Sequence, residues 1–288
     1  MASIINTNLL SLNAQTNTST SQASLAKSIQ RLSSGLRVNS AADDAAGLSI
    51  SQRMDAQVRG MTVAIRNSND GISLAQTADG ALGKVGDSLQ RMRELAVQAR
   101  NATNTSADKD SLDNEFGQLA QEIQRVLGGT TFNGRAILGT TDAGTQTFQV
   151  GANTSTNDSI DIVTTDLTTD GTITAVAGTD NTGAGRATID GTQTFAQIGT
   201  VIDDLDSAIN TINTSRGTMG AAQNRFDSVV SNLNISVENQ TAAKSRITDA
   251  DFAAETANLS RAQILQQAGT AMIAQANQLP QQVLTLLR

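Results

Sequence analysis

The chain has 288 residues, 27 acidic against 20 basic side chains, and no histidine, cysteine, tryptophan or tyrosine. That removes imidazole bases, thiolate nucleophiles, disulfides and the usual zinc, copper and haem ligands, so catalysis is disfavoured and no cofactor or metal is expected. With six phenylalanines as its only aromatics and a single proline, Pro280, the chain points to long, thin helical packing rather than an aromatic-rich core.

The charge is unevenly placed. All 27 acidic residues fall within 43–255, whereas Lys27, Arg31, Arg37, Arg261 and Arg288 lie outside that span. An acidic body disfavours nucleic acid and anionic membrane surfaces as partners. Ends free of carboxylates suit burial, because an unpaired buried carboxylate is costly. The opening "MASIINTNLLSLNAQ" has neither a basic leader nor an apolar run of secretory length, and no stretch has the length of a membrane span. On these grounds alone a cytosolic protein is expected.

In chain order, Leu25, Ile29, Leu32 and Leu36 step by four, three and four, the stripe of one helix. Gly35 marks its end, and Ser40 with Asp43 forms a capping-box spacing for the next helix. Asp43 and Asp44 look like a carboxylate pair. Adjacent helical residues diverge by about 100°, however, so they do not face one substrate. A long heptad pattern follows, with Met54, Met61, Ala75, Leu82, Leu89 and Ala96 on one track. Val58, Ile65 and Ile72 form a second track that slips by one after Asp79-Gly80, to Val85, Met92 and Ala99; the spacing predicts a coiled coil with a local irregularity. Asn104 to Ala107 interrupts it. Leu112, Phe116, Leu119, Ile123 and Val126 give a shorter helix ending at Gly128-Gly129.

From Thr130 to about Gly199 the composition turns to Thr, Gly, Asp and Asn. The alternating snippets "TFQVG" and "SIDIV" predict short strands, and Asp170-Gly171 and Asp190-Gly191 are hairpin-turn dipeptides. "DLTTDG" opens like a calcium loop, but its twelfth position is Ala177 rather than glutamate, so the spacing does not support one. Helical rhythm resumes through Ile202, Leu205, Ile209, Ile212, Met219, Phe226, Val230, Leu233 and Val237. After "ITDADFAAE" it returns as Leu265, Ala268, Met272, Ala276, Leu279, Val283 and Leu286. Asp249 and Asp251 in that junction stand about 200° apart on a helix, with no partner base.

The predicted fold is therefore mainly α: a long antiparallel helical bundle or coiled coil made from paired N- and C-terminal segments, with a small β-rich central insert. The expected divisions are a terminal pair (1–40 and 251–288), a helical bundle (41–130 and 200–250) and the insert (131–199). Isolated terminal helices are marginal, because ordering the chain outweighs what one apolar stripe returns. The two ends should pair, and their remaining apolar surface should meet other copies. Leu25, Ile29, Leu32, Leu36, Leu265, Met272, Leu279, Val283 and Leu286 are the expected assembly residues.

Long stretches of the chain resemble bacterial flagellins. They are "INTN" at 5–8, "RLSSGLRVNSAADDAAGLSIS" at 31–51, "RNSNDGISLAQTADGAL" at 66–82, "LQRMRELAVQARN" at 89–101, "FNGRAIL" at 132–138, "SRITDADFAAETANLSRAQILQQAGTAMIAQAN" and the closing "VLTLLR". The resemblance covers about 1–140 and 200–288. It implies an extracellular structural subunit of the bacterial flagellum, not an enzyme, that is exported by the flagellar type III apparatus without a cleaved leader and polymerises beneath a cap. The paired terminal helices would form the inner tube of the filament. The partners it implies are further copies of the chain, an export chaperone on the C-terminal segment, the filament cap and hook-associated proteins, and the innate sensor Toll-like receptor 5. For that receptor the matching positions are Arg91, Leu95, Gln98 and, on the facing helix, Glu115. The alternative of the same kind is a hook–filament junction protein sharing the terminal helices. The short insert and the absence of histidine rule out the zinc peptidase that some relatives carry there.

Overall fold

The computed structural model describes residues 7–139 and 143–286, with side chains described through Gln278. The helices are α1 (Leu9–Ser34), α2 (Ala45–Ala99), α3 (Ser106–Gly129), α4 (Gly171–Ala177), α5 (Phe195–Thr248) and α6 (Phe252–Leu286). The strands are β1 (Thr131–Phe132), β2 (Arg135–Ala136), β3 (Gly144–Gln149) and β4 (Ser159–Thr164). The chain divides into two compact units, one of residues 1–58 with 238–288 and the other of residues 59–237. The segment 131–199 belongs to the second.

In that central unit α2 buries Met61, Ala64, Ser68, Gly71, Ala75, Ala78, Leu82, Val85, Leu89, Met92, Ala96 and Ala99. This is an unbroken alternation of three and four, the spacing that keeps one seam facing a partner helix. The irregularity expected after Asp79-Gly80 is absent. The inner second track is Ala64, Gly71 and Ala78, whereas the larger Ile65 and Ile72 are only half-buried beside it. A search for large apolar residues follows the wrong neighbours.

Opposite it, α5 buries Ile198, Leu205, Ile212, Met219, Phe226 and Leu233 at intervals of seven. The two run antiparallel: Asp79 pairs with Arg216 at 2.9 Å and Asp206 with Arg93 at 2.6 Å. The glycine at 71 is required by Phe226, since a Cβ there would stand 2.8 Å from the ring's Cζ. Phe148 of β3 meets the same ring edge-on at 5.5 Å, an attractive aromatic geometry that ties the insert to the bundle.

The insert is a small antiparallel structure with α4 and a single 3-10 turn (Thr156–Asp158) among its described residues. Strands β3 and β4 pair from Gly144↔Thr164 to Gln149↔Ser159, burying Ile160, Ile162 and Thr164 on alternate positions. Neither Asp-Gly dipeptide makes a hairpin turn. Asp170 caps α4 by accepting the Thr172 amide at 2.9 Å. Asp190 closes a local turn by accepting the Thr192 amide at 2.8 Å. The two-residue hairpin turn is Asn133-Gly134, both at positive φ (51° and 79°), between β1 and β2. The segment 178–193 is fixed to α3 by Arg186, whose guanidinium grips Asp113 with two contacts of 2.9 and 2.6 Å. Burial pushes the Asp113 carboxyl pKa up, but Arg186 and the Ile189 amide outweigh it and hold the group below its ordinary value.

Candidate assembly surface

The terminal unit is organised around α1 and α6, which run antiparallel. Asn8 Nδ2 donates to the Ala276 carbonyl at 2.7 Å, and Ser11 Oγ donates to Asn277 Oδ1 at 2.8 Å. At the other end Arg31 lies 3.7 Å from Glu255. Asn8 caps α1 through the Ser11 amide at 3.1 Å, and Gly35 ends it at φ 70° with its amide on the Arg31 carbonyl.

What these helices place between them is mostly small or polar, with four larger apolar residues, Leu25, Leu32, Leu259 and Ile273, half-buried along the seam. Along α1 the inward positions are Ser11, Ala14, Thr18, Ser21, Leu25, Ser28 and Leu32. Along α6 they are Glu255, Leu259, Ala262, Gln266, Gly269, Ile273 and Ala276. Both sets alternate by three and four, so this too is a coiled-coil seam. Its close approach depends on Gly269, where any Cβ would collide with the Thr18 hydroxyl. Thr18 Oγ1 is itself satisfied, donating to the Ala14 carbonyl at 2.8 Å.

Most of the large apolar side chains point away from the seam. Leu9, Leu10, Leu12 and Ile29 on α1, and Phe252, Ile264, Leu265 and Met272 on α6, are each at least half exposed. The expected stripe Leu25, Ile29, Leu32, Leu36 is thus divided. Leu25 and Leu32 turn toward the seam, Ile29 is 50% exposed, and Leu36 lies beyond the helix in a bridge with Asp249. On α6, Leu265 and Met272 are 52% and 60% exposed while Ala276 is buried. The side chains of Leu279, Val283 and Leu286 lie outside the described residues. Sequence reasoning found Leu25, Leu32 and Ala276 but missed most of the seam because it counted large apolar residues; the repeat of Ser, Thr, Ala and Gly at heptad spacing is its main signature.

The corner that follows α1 is structural. Asp44 begins α2 by accepting the Gly47 amide at 2.8 Å. Asp43 instead closes the preceding turn through the Ser40 amide and hydroxyl, both at 3.1 Å. The expected cap is therefore one turn out of place: Ser40 and Asp43 form a separate turn ahead of the helix. Lys27, 3.2 Å from Asp43, is the main reason that carboxyl sits below its ordinary pKa. Arg37 donates to the carbonyls of Arg246 and Ile247 at the C-terminus of α5, where the helix dipole favours a cation. Asp249 binds Ser245 and Thr248, while Asp251 accepts the Ala253 amide in the first turn of α6. None of these carboxylates shares a site with another.

In the central unit, Arg91 bridges two acids: Nε lies 2.8 Å from Glu115 and Nη1 lies 3.0 Å from Glu94. Arg91, Glu115 and Gln98 are exposed. Leu95 is 1% exposed and belongs to the core, so its side chain supports that surface from beneath instead of forming part of it.

The comparisons with known proteins agree with the helical fold. Residues 5–143 match the bacterial flagellin N-terminal helical region, and residues 202–287 match the bacterial flagellin C-terminal helical region. The flagellin of Halalkalibacterium halodurans is 46% identical over 99% of this chain and 100% of its own. That of Bacillus subtilis is 41% identical over 99% of each. Among solved structures, a putative flagellar hook-associated protein from Vibrio parahaemolyticus superposes with a TM-score of 0.60 over 72% of this chain and all of its own, at 13% identity, a likeness of fold alone. The chain belongs to the bacterial flagellin family and is a structural subunit of the flagellar filament, not an enzyme.

Proposed function

We propose that the chain is exported through the flagellar type III apparatus and polymerises outside the cell through its α1/α6 pair, seated beneath a cap and bounded by hook-associated proteins. The observation that carries this reading is the inverted placement of side chains in the terminal unit. Most of the seam is Ser, Thr, Ala and Gly, with Leu25, Leu32, Leu259 and Ile273 half-buried in it, while Leu9, Leu10, Leu12, Ile29, Ile264, Leu265 and Met272 face outward. Exposed apolar residues grouped on one element mark a surface that is covered in the working state, and further copies of the chain are the natural cover in a filament. A seam with so few large apolar side chains returns little hydrophobic free energy, so the pair is only marginally stable in a lone subunit. The same exposed face explains the need for an export chaperone on the C-terminal segment.

The exposed group Arg91, Gln98 and Glu115 supports recognition of the monomer by Toll-like receptor 5. The ion pair joining Arg91 to Glu115 gives that surface a fixed shape, and Leu95 underlies it. Arg91→Ala is expected to lower monomer signalling in receptor-bearing cells without changing the circular dichroism spectrum; unchanged potency would remove the assignment. For assembly, purified monomer seeded with filament fragments should extend into fibres visible by electron microscopy. Deleting 256–288 should abolish growth. A truncated chain that polymerises normally contradicts the reading.

A further inference from the structure

The α1/α6 pair carries, beside its apolar face, a cleft of about 320 Å³ lined on one side by Ser24, Lys27 and Arg31 and on the other by Glu255, Asn258 and Arg261. Its charges do not balance. Lys27 is engaged by Asp43, and Arg31 and Glu255 face each other at 3.7 Å, longer than a good charge-assisted hydrogen bond. Arg31 Nε is buried and has no hydrogen-bond partner, a state that normally marks a missing acceptor. The only described partner of exposed Arg261 is Asn258 on its own helix, at 3.5 Å. The cleft therefore presents one uncompensated guanidinium and a second with an unused donor.

We propose that this cleft receives a carboxylate side chain from a second copy of the chain. The inference rests on the assembly reading above and adds to it the chemistry of one contact. Two facts select a second copy. The chain confines every aspartate and glutamate to 43–255 and leaves both flanking segments without any, so the acids complementary to this cleft are abundant on its own body. Leu265 lines the same cleft at 52% exposure, and its neighbour Ile264 is also exposed, so the occupant brings apolar surface alongside its charge, as a helix face does and a free anion does not. A guanidinium suits the role, because its planar fork binds a carboxylate bidentately where an ammonium offers a point charge. A contact between terminal helices of one copy and the acidic body of another joins unlike surfaces. Such a heterologous contact builds an open helical polymer rather than a closed dimer.

The test uses the full chain. Arg261→Glu should slow seeded elongation at least tenfold at low salt while leaving the monomer's circular dichroism unchanged, and Arg66→Glu, the same charge change on an exposed position of α2, should elongate within twofold of the parent. Elongation by Arg261→Glu at the parent rate overturns the proposal, and does so without touching the assembly reading, which the 256–288 deletion tests separately. The second arm identifies the occupant. Filaments of Arg261→Lys treated with a carbodiimide should yield a covalent dimer whose cross-linked peptide joins position 261 to an aspartate or glutamate within 43–255 of another copy. Absence of that dimer from intact filaments overturns the proposal. So does inhibition of parental elongation by millimolar phosphate that is lost in Arg261→Gln, combined with no cross-link, because the cleft would then be a site for free anions.

Discussion

The terminal and central units share one spacing of inward positions and fill it with different residues. In the central unit the three-and-four alternation holds Leu82, Val85, Leu89 and Met92 against Leu205 and Ile212 on α5, with Phe226 seated over Gly71. In the terminal unit the same alternation holds Ser11, Thr18 and Ser28 against Ala262, Gly269 and Ala276, only four of its positions carry Leu or Ile, and most of the large side chains lie outside. The difference shows that a helical apolar stripe does not by itself identify the face a chain closes first. One unit buries most of its own large apolar residues, and the other, on the assembly proposed above, is completed by neighbours.

Substitutions in the two units should therefore diverge, and the largest effects belong to the central one. Phe226→Ala removes the ring that fills the Gly71 notch and contacts Phe148; it should lower monomer stability by about 3–5 kcal/mol in urea unfolding. A cost near zero would mean that the central packing is not what holds the subunit. Asp113→Ala leaves Arg186 partly buried without its partner and should cost about 3 kcal/mol. Because folding lowers the Asp113 pKa, its contribution is complete above the ordinary carboxylate value of about 3.9 and is lost as pH falls below it. The urea midpoints of the parent and Asp113→Asn should thus converge on acidification, and midpoints that move apart would contradict the pairing.

Gly71→Ala forces a methyl group against the Phe226 ring and should cost about 1–3 kcal/mol by the same measurement. Met272→Ala has the smallest expected effect: in the dispersed monomer it should stay within about 0.5 kcal/mol. On the proposed assembly, seeded elongation should nevertheless fall, because the exposed side chain would there be covered by another copy. A loss of monomer stability equal to that of Phe226→Ala would erase the distinction between the units.

Much of this architecture was legible in the residues. The helices, their antiparallel return and the strands "TFQVG" and "SIDIV" followed from periodicity. Other parts were hidden for physical reasons. Ala64, Gly71 and Ala78 carry too little apolar surface to stand out, yet they admit the close approach of α5. Asp170-Gly171 serves a helix start because the following "TITAVA" has a face to bury, and Asp170 offers its carboxylate to the Thr172 amide. The outward residues Leu265 and Met272 were found as apolar positions, but the small and polar seam positions, Ser11, Thr18 and Ser28 on α1 and Gly269 on α6, were not. Leu95 lies on the same short segment as Arg91, and only the packing of α2 shows that it points inward.

Native-state amide hydrogen exchange on the dispersed full-length monomer and on filaments tests most directly whether the terminal pair is completed by neighbours. The expected result is rapid exchange along α1 and α6 in the monomer, strong protection of both in the filament, and slow exchange of Leu82–Ala99 in each. Protection of α1 and α6 in the dispersed monomer equal to that of Leu82–Ala99 would contradict it.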